Sequence, residues 1–290
     1  MRCRLCSAEP VHNSLCKRHF LKDFEKRVAW TISRYGLIVK DDRVLVASSG
    51  GKDSTTASYI LSRHAKVDLI SIDEGIKGYR DKTLADLKRY SKEHGLNLKI
   101  YSFKNEFGLT LDQIIKKTKW KPCSVCGTLR RYLLNRKAKG YTKIATGHNM
   151  DDEAQSILMN YLRNSLEISA RLGPMTGIHR NVFVQRIKPL YFCTEKETTI
   201  YSYLMGFPVS YNECPYVADA YRAGVRDMLN GLEAEEPGTK KNIVDSFLNL
   251  LPRLKSEFGK GDISTCGCGE PSRNRACNTC LLIREMKSFL

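Results

Sequence analysis

The sequence has no apolar stretch long enough to cross a membrane. Nowhere in its 290 residues does a run approach the roughly 18 apolar residues that a membrane helix needs. Residues 1–6 hold two cysteines and two arginines instead of the apolar stretch of a secretory leader. We therefore expect a cytoplasmic protein with no membrane partner, and a hydrophobic content of 42% is enough for a sizeable core.

Acidic residues are too few to balance the basic ones. The chain carries 48 Lys and Arg against 31 Asp and Glu, a net charge of +17. Many soluble proteins have a basic surface, but here the excess falls in runs at 116–121, 130–131 and 136–139, beside candidate site residues. Such runs neutralise phosphates and release counterions, so they favour a nucleic-acid partner that is bound without sequence preference.

The eleven cysteines do not follow a disulfide pattern. They fall into two terminal groups and a central set, which in a cytoplasmic chain indicates metal sites. The first group has the paired spacing of a structural zinc site, with His12 as an alternative to its histidine ligand. We call this group the N-terminal knot; it comprises Cys3, Cys6, Cys16 and His19.

A second group of cysteines, the C-terminal knot, has a less regular spacing. Cys277 and Cys280 form an ordinary CxxC pair, whereas Cys266 and Cys268 are separated by one glycine. We still expect zinc here. Both knots are surrounded by basic residues, so they are expected to bind tRNA, to fix the ends of the chain to the rest of the protein, or to do both.

Short apolar runs alternate with helical patterns along the middle of the chain. This alternation predicts βαβ units on a parallel, doubly wound sheet. Ligands of such sheets bind beyond the carboxyl ends of the strands, where the strand order reverses. The predicted strands are 43–47, 67–73, 98–103 and 142–146, and the predicted helices are 20–36, 52–64, 82–94, 123–139, one that begins at Asp151, 195–206, 218–230 and 240–257.

A glycine-rich loop follows the first predicted strand and precedes a helix. Its sequence, Ser-Gly-Gly-Lys-Asp-Ser at 49–54, lacks the spacing of a Walker A loop but has the features of a phosphate site. The glycines allow close approach, backbone N–H groups and the helix N-terminus attract an anion, and Lys52 can reach phosphate. The alternative is a Gly-Gly turn that Ser and Asp side chains cap.

Three central cysteines have the spacing of a second metal site. Cys123 and Cys126 are predicted to lie on one side of a helix, with Arg130 on the same face. Cys214 precedes a proline, as iron–sulfur ligands often do. The spacing is compatible with iron–sulfur, zinc or a redox disulfide. Cys193 has apolar neighbours and is predicted to lie in the core.

The loop at 49–54 resembles the PP-loop of the ATP pyrophosphatase superfamily, whose members split ATP between the α and β phosphates. Residues 147–155, Gly-His-Asn-Met-Asp-Asp-Glu-Ala-Gln, match a second motif of its tRNA-modifying branch. Nearly the whole chain is similar to the TtuA/NcsA group of tRNA 2-thiouridine synthetases. The resemblance implies an α/β, HUP-like PP-loop sheet with zinc-binding knots at both termini. It divides the chain into segments 1–25, 26–215, 216–258 and 259–290: zinc finger, PP-loop domain with the iron–sulfur site, helical extension and second zinc finger.

The resemblance also implies cofactors and site residues. Cys123, Cys126 and Cys214 are expected to hold a [4Fe–4S] cluster. Lys52, Arg130, Asp151 and Asp152 are the candidate catalytic residues, although the family can carry Lys at position 130 and the acids can simply favour a helix N-terminus. ATP with Mg²⁺ is expected to contact Ala47, Ser48, Ser49, Gly50, Gly51, Lys52, Asp53, Ser54, Ile72, Asp73 and Gly147.

The expected reaction is adenylation of O2 of a tRNA uridine, followed by attack of sulfur on C2. The sulfur donor is sulfide, a persulfide or a ubiquitin-like carrier protein, and the family implies a homodimer. Two alternatives stay open: synthesis of 2-thiocytidine in tRNA, and a zinc-ribbon tRNA-binding protein without catalysis. The sequence does not distinguish the wobble position from the T-loop as the place of the uridine.

Overall fold

A six-stranded sheet forms the centre of the protein in a computed structural model that describes residues 2–176, 184–217, 221–258, 264–272 and 274–288. The strands lie in the order β3-β2-β1-β4-β6-β5, and all neighbours are parallel except the edge pair β5 and β6. They are β1 (Arg43–Ala47), β2 (Lys66–Asp73), β3 (Asn97–Ser102), β4 (Lys143–Thr146), β5 (Met175–Thr176) and β6 (Gln185–Ile187).

Helices cover both faces of this sheet and continue beyond it. In the described part of the chain they are α1 (Lys17–Arg34), α2 (Lys52–Leu61), α3 (Arg80–Glu93), α4 (Phe103–Phe107), α5 (Leu111–Lys117), α6 (Pro122–Lys137), α7 (Met150–Leu162), α8 (Leu166–Ser169), α9 (Glu195–Met205), α10 (Tyr221–Glu235), α11 (Thr239–Phe258) and α12 (Asn278–Lys287). A small hairpin, β7 (Ser264–Thr265) with β8 (Pro271–Ser272), precedes α12. None of these described helices combines the length and the hydropathy that crossing a membrane requires.

The strands send alternate side chains into two separate cores. From β1, Val44 and Val46 enter one cluster with Phe24 of α1, while Leu45 enters the other with Leu129 of α6. This alternation follows from the two-residue period of a strand and explains the nearly continuous apolar runs in the sequence. The predicted α/β fold with a doubly wound, mostly parallel sheet is confirmed.

A third apolar cluster joins α7, α10 and α11 beyond the sheet. Val225 and Leu229 of α10 pack with Val244 and Phe247 of α11, and Ile157 of α7 lies in the same cluster. The extension is therefore packed directly on the helix that begins with the second motif.

Some details of the secondary structure differ from the prediction. The strands β5 and β6 are not predicted, because segments of two and three residues show no usable periodicity, and neither are the helices α4, α5, α8 and α12. The helix predicted at 218–230 was ended at Gly231, but α10 continues to Glu235, and residues 218–220 lie outside the described part. The extra turn has a structural reason: the Glu233 carboxylate accepts hydrogen bonds from the backbone N–H groups of Gly238 and Lys240, both at 2.8 Å, at the start of α11.

The strand order reverses at β1, which lies between β2 and β4. The segments that follow the carboxyl ends of these three strands therefore meet at one edge of the sheet. In an open α/β sheet this is where a ligand crevice forms. Each of the two motifs and residues 73–80 begin at this edge.

Candidate nucleotide and metal site

The glycine-rich loop is closed on itself by serine contacts. Ser54 Oγ accepts the backbone N–H of Ser49 at 3.2 Å and lies 3.3 Å from Ser49 Oγ, which in turn accepts the N–H of Gly51 at 3.3 Å. Gly50 has a φ of +85°, and a Cβ there would lie 2.2 Å from the carbonyl oxygen of Thr83. Only glycine fits this position, because both the backbone conformation and the close approach of α3 exclude a side chain.

The N-terminus of α2 has no side-chain cap. Gly51 occupies the N-cap position, and neither Ser nor Asp accepts a hydrogen bond from the first turn. In α7 and α9, by contrast, complete capping boxes close the N-terminus. Serine side chains thus close the turn but do not cap the helix, and the first N–H groups of α2 remain available to an anion.

Gly147, in the second motif, packs against the start of α2. A Cβ on Gly147 would lie 2.6 Å from the backbone nitrogen of Ser54 and 2.7 Å from the carbonyl carbon of Asp53. The neighbouring Asn149 donates to Asp53 Oδ1 at 3.1 Å. The two motifs therefore form one continuous surface.

Lys52 lies at the mouth of this loop between two carboxylates. Its Nζ is 3.1 Å from Asp53 Oδ2 and 3.0 Å from Glu195 Oε1 at the start of α9. Burial raises the pKa of Asp53, as does the nearby charge of Asp152, against the opposite effect of Lys52. Asp53 and Asp152, whose pKa values are both raised by burial, form a set of oxygen ligands that suits a hard divalent cation.

The two aspartates of the second motif have different surroundings. Asp151 is 6% exposed; it forms an ion pair with Lys240 of α11 and accepts the backbone N–H of Glu195 at 2.8 Å. Asp152 is only half-buried, accepts the N–H of Asn149 at 3.2 Å and contacts Arg222 of α10 at 3.3 Å. Burial raises the pKa of Asp152 and Arg222 opposes that rise. Asp151 thus anchors the helical extension, while Asp152 faces the crevice.

His148 carries no charge at neutral pH. Its Nδ1 lies 2.8 Å from Thr146 Oγ1. The residue is exposed to solvent, and desolvation by neighbouring protein atoms together with nearby cations lowers its pKa to about 3. An imidazole with such a pKa is a poor general base. The cations that act on it are Lys188, Arg222, Arg130 and Arg186.

The three central cysteines are grouped on the other side of the crevice. Cys123 and Cys126 lie in the first turns of α6, whose N1 residue is a proline and whose positive end favours thiolates. Cys123 Sγ is 3.6 Å from the carbonyl oxygen of Tyr216, and Cys214 interacts electrostatically with both other thiols. Burial raises the pKa of Cys126 to about 11 against the effect of Arg130, which is hydrogen-bonded to the same thiol.

The spacing of these thiols does not suit a single tetrahedral ion. Among the described residues, only the two terminal knots bring three or more candidate ligand atoms within 4.8 Å of one another. Zinc–sulfur bonds of about 2.3 Å require neighbouring sulfurs about 3.8 Å apart. Three wider-set cysteine thiols fit a polynuclear iron–sulfur cluster, which takes Cys ligands on separate irons. Cys193 is 1% exposed in the core, as predicted.

The terminal knots, in contrast, have the dimensions of tetrahedral sites. In the N-terminal knot, Cys6 and Cys16 sulfurs are 3.7 Å apart, and His19 Nδ1 lies 3.4 Å from Cys3 Sγ and 3.5 Å from Cys16 Sγ. Mixed bonds to zinc predict sulfur–nitrogen edges of about 3.6 Å. His12, the alternative ligand, packs against the ring edge of Phe20 instead.

The single-glycine spacing of Cys266 and Cys268 does not disturb the C-terminal knot. Sulfur pairs Cys266–Cys280 and Cys268–Cys277 are both 3.6 Å apart. Backbone N–H groups of Cys268 and Cys277 lower the pKa of Cys266 to about 6, which favours the thiolate that metals bind. Each knot can therefore hold a metal ion.

The C-terminal knot and α12 pack against the helix that carries Cys123 and Cys126. Leu282 and Met286 of α12 are buried with the apolar face of α6. Trp120 donates to Glu285 at 2.8 Å, and Asn135 donates to Glu270 at 2.8 Å. The distant end of the chain thus supports the central cysteines.

Several residues of this crevice were not predicted from the sequence. Glu74, just beyond β2, pairs with Arg130, and Arg80, at the start of α3, pairs with Glu74 and donates to the loop. Arg222 and Glu195 come from later helices. Ile72 and Asp73 were predicted near adenine, but the Ile72 carbonyl accepts a bond from Arg80 and Asp73 accepts the N–H of Gly75. The position of Glu74 directly after a predicted strand end was the one available signal.

Comparison with known proteins gives consistent matches along the chain. Residues 20–220 match the family model described as PP-loop domain. The tRNA-5-methyluridine(54) 2-sulfurtransferase of Pyrococcus horikoshii is 37% identical, with 97% of this chain and 93% of the relative covered. Cytoplasmic tRNA 2-thiolation protein 1 of Saccharomyces cerevisiae is 36% identical over 95% of this chain and 81% of its own. The solved structure of U34-tRNA thiolase NcsA from Methanococcus maripaludis, with its [4Fe-4S] cluster, superposes with a TM-score of 0.77 at 33% identity, covering 87% of this chain and 88% of that one.

Proposed function

Since the chain belongs to the PP-loop family and, within it, to the TtuA/NcsA group, we propose that it is an ATP-dependent tRNA sulfurtransferase that converts a uridine of tRNA into 2-thiouridine. The observation that carries this proposal is the convergence of an uncapped phosphate loop and three cysteines on one crevice, with Arg130 between them. The named relatives thiolate uridine or are tRNA 2-thiolation proteins, which supports this choice over 2-thiocytidine synthesis and over a protein without catalysis.

ATP binds with its phosphates over the loop at 49–54. The open N–H groups of α2 and Lys52 take the phosphate charge, after Lys52 exchanges its contact with Glu195 for phosphate oxygens. Asp53 and Asp152, which both hydrogen-bond to Asn149, would hold Mg²⁺. Asp151 supports the site through Lys240 and does not face the crevice.

The chemistry proceeds in two displacements at the crevice. Oxygen 2 of the uridine attacks the α-phosphorus and pyrophosphate leaves; sulfur then attacks C2, the C2–O2 bond breaks, and AMP departs with that oxygen. Lys52 and Arg130 stabilise the negative charge that develops on phosphorus and on the leaving phosphate. Arg130 remains protonated throughout, so it acts as a charge and a hydrogen-bond donor.

Cys123, Cys126 and Cys214 are the residues that would hold an iron–sulfur cluster, since their thiols are set wider than a mononuclear site allows. When bound through three cysteines, a [4Fe–4S] cluster supplies one iron with an open position for sulfide. The positive end of α6 and Arg130 favour the thiolate forms that such ligation needs. Zinc in the two terminal knots completes the proposed cofactor set.

The charge and the packing suggest the remaining partners and the organisation of the chain. A net charge of +17 suits tRNA as a polyanionic substrate. We expect the protein to work in the cytoplasm as a homodimer, with sulfide, a persulfide or a ubiquitin-like carrier as sulfur source. Segments 1–25, 26–215, 216–258 and 259–290 serve as N-terminal zinc finger, catalytic domain, helical extension and C-terminal zinc finger.

The test is thiolation by protein reconstituted anaerobically with iron and sulfide and supplied with ATP, sulfide and tRNA. Cys214→Ala is expected to abolish formation of 2-thiouridine while ATP binding persists. The matched control is Cys193→Ala, which removes a core cysteine of the same chain and is expected to retain thiolation. Full activity of Cys214→Ala would rule out a cluster mechanism.

Two further measurements separate the alternatives. Lys52→Ala is expected to abolish ATP–pyrophosphate exchange; exchange that persisted in this variant would favour a protein whose loop has another purpose. Mass spectrometry of tRNA nucleosides from cells that lack the gene would identify the lost modification. Loss of 2-thiocytidine instead of 2-thiouridine would overturn the choice of base, and mapping the loss identifies the position.

A further inference from the structure

One buried carboxylate, that of Glu74, is shared by two guanidinium groups from opposite sides of the crevice. Glu74 directly follows β2 and is 5% exposed. Arg80 Nε lies 2.8 Å from its Oε2, and Arg130 Nε lies 3.3 Å from its Oε1. A buried carboxylate of this kind is tolerated only when it is paired, and Glu74 is paired with both arginines.

Arg80 joins this carboxylate rigidly to the nucleotide loop. It is 3% exposed, and its Nη1 donates to the backbone carbonyl of Ser49 at 2.6 Å. Its Nη2 donates to the carbonyl of Ile72 at 2.7 Å and to Ser71 Oγ at 2.8 Å. With its nitrogens fixed on the loop and on the end of β2, Arg80 holds Glu74 at a set place relative to the phosphate site.

Arg130 faces the cysteines from the other side of Glu74. Its side chain is 42% exposed, and on α6 it lies one helical turn beyond Cys126, with whose thiol it interacts. A long side chain this exposed would otherwise sample several rotamers and lose entropy on ordering. The planar guanidinium can contact Glu74 and Cys126 together, which the single ammonium of a lysine does less well.

We propose that Glu74 and Arg80 are positioning residues that fix the Arg130 guanidinium between the nucleotide loop and Cys126. This inference rests on the proposed function, because it concerns the alignment of the adenylated base with the sulfur site. The three side chains form a row of alternating charge in which Arg80 is positive, Glu74 negative and Arg130 positive. The row begins at the Ser49 carbonyl, to which Arg80 donates, and ends beside Cys126. Without Glu74, Arg130 keeps its charge, but its side chain can move away from Cys126.

The test compares Glu74→Gln, Arg130→Gln and the double variant, each reconstituted anaerobically. Glu74→Gln is expected to lower kcat for thiolation about 10- to 100-fold, as supporting residues around metal ligands typically do, with KM for tRNA within about twofold of wild type. The double variant is expected to match Arg130→Gln, because Glu74 acts through Arg130 and the two effects therefore do not multiply.

The reduction potential of the cluster gives a readout that does not depend on activity. Hydrogen bonds to ligand sulfurs raise this potential. Both Glu74→Gln and Arg130→Gln should therefore lower it, since each takes a donor away from Cys126. If Glu74 were only a nearby negative charge, its removal would raise the potential instead, and that result would overturn the proposal.

A control variant shows whether the loss of any carboxylate that pairs with α6 has the same effect. Glu106→Gln removes a carboxylate of α4 that pairs with Lys137, which lies on α6 as Arg130 does. This variant is expected to change neither kcat nor the reduction potential. Should Glu74→Gln not fold, Glu74→Asp keeps the charge beside Arg80 but withdraws it from Arg130 by about 1.5 Å, the length of one carbon–carbon bond. If Glu74→Asp had the kcat and the reduction potential of the wild-type protein, the proposed positioning role of Glu74 would also be refuted. If the wild-type protein does not thiolate tRNA, the proposed function fails, and the potentials alone decide the role of Glu74.

Discussion

The two adjacent glycines of the nucleotide loop are expected to respond differently to an added methyl group: at Gly50 it lowers stability, and at Gly51 it weakens ATP binding. At Gly50 an alanine must adopt a φ of +85°, and its Cβ would lie 2.2 Å from the Thr83 carbonyl oxygen. The backbone strain costs about 1–2 kcal/mol and the displacement of α3 about 1–3 kcal/mol. Gly50→Ala should therefore lower the free energy of unfolding by about 2–5 kcal/mol.

Gly51 offers the matched comparison in the same loop. Its φ of −90° suits any residue, and the nearest atom to an added Cβ is Ser49 Oγ at 3.4 Å. Alanine is a poorer N-cap residue than glycine, so this replacement costs about 0.5–1 kcal/mol. Gly51→Ala should thus fold normally, but its methyl group stands where phosphate oxygens approach α2, so ATP binding should weaken at least tenfold.

Thermal unfolding by circular dichroism and ATP titration by calorimetry measure the two effects separately. For a domain of this size, Gly50→Ala is expected to reduce the midpoint by roughly 5–15 °C, and Gly51→Ala by less than about 4 °C. The reasoning fails if Gly50→Ala retains the wild-type midpoint, or if Gly51→Ala binds ATP as well as the wild-type protein does.

Three other perturbations address the supports of the site. Lys240→Met leaves Asp151 charged and buried, so urea unfolding should show a loss of about 3–5 kcal/mol that Asp151→Asn partly restores in the double variant; an additive result would contradict the pairing. Burial tends to raise the pKa of Glu197, but the hydrogen bond from Arg27 outweighs it and holds that pKa below 4.5. The stability from this pair is therefore complete above pH 4.5 and is lost as the pH falls through the lowered pKa, so the destabilisation by Glu197→Gln should be largest at pH 7 and shrink by pH 4 in unfolding titrations. Cys280→Ala should reduce the iron that remains bound after anaerobic reconstitution, because α12 packs on α6. Cys6→Ala, in the N-terminal knot, should leave the iron content unchanged. Equal iron content in both variants would contradict the support of α6 by α12.

The sequence predicted those parts of the fold that depend on local patterns. Four strands and the helices between them follow from short apolar runs and helical spacing, and both motifs lie at strand ends as expected. Helix boundaries failed where a distant contact outweighed a local preference. Gly231 is a poor helix residue, yet α10 passes through it, because Glu233 caps the start of α11.

The crevice was less predictable than the fold, because its contacts join residues that are distant in the chain. No local pattern indicates that Lys240 pairs with Asp151, or that Arg222 contacts Asp152. Spacing alone left zinc and iron–sulfur open for the central cysteines. In the described structure the three thiols do not all come within 4.8 Å of one another, as the ligand atoms of each terminal knot do, and this does not suit a single zinc ion.

The packing of α12 on α6 has a consequence for the order in which the protein is made. Helix α6, with Cys123 and Cys126, leaves the ribosome roughly half a chain length before the segment that covers its apolar face. Until α12 arrives, that face is exposed and the first turns of α6 lack their support. Helix α6 therefore completes its packing only after the C-terminal segment has been made.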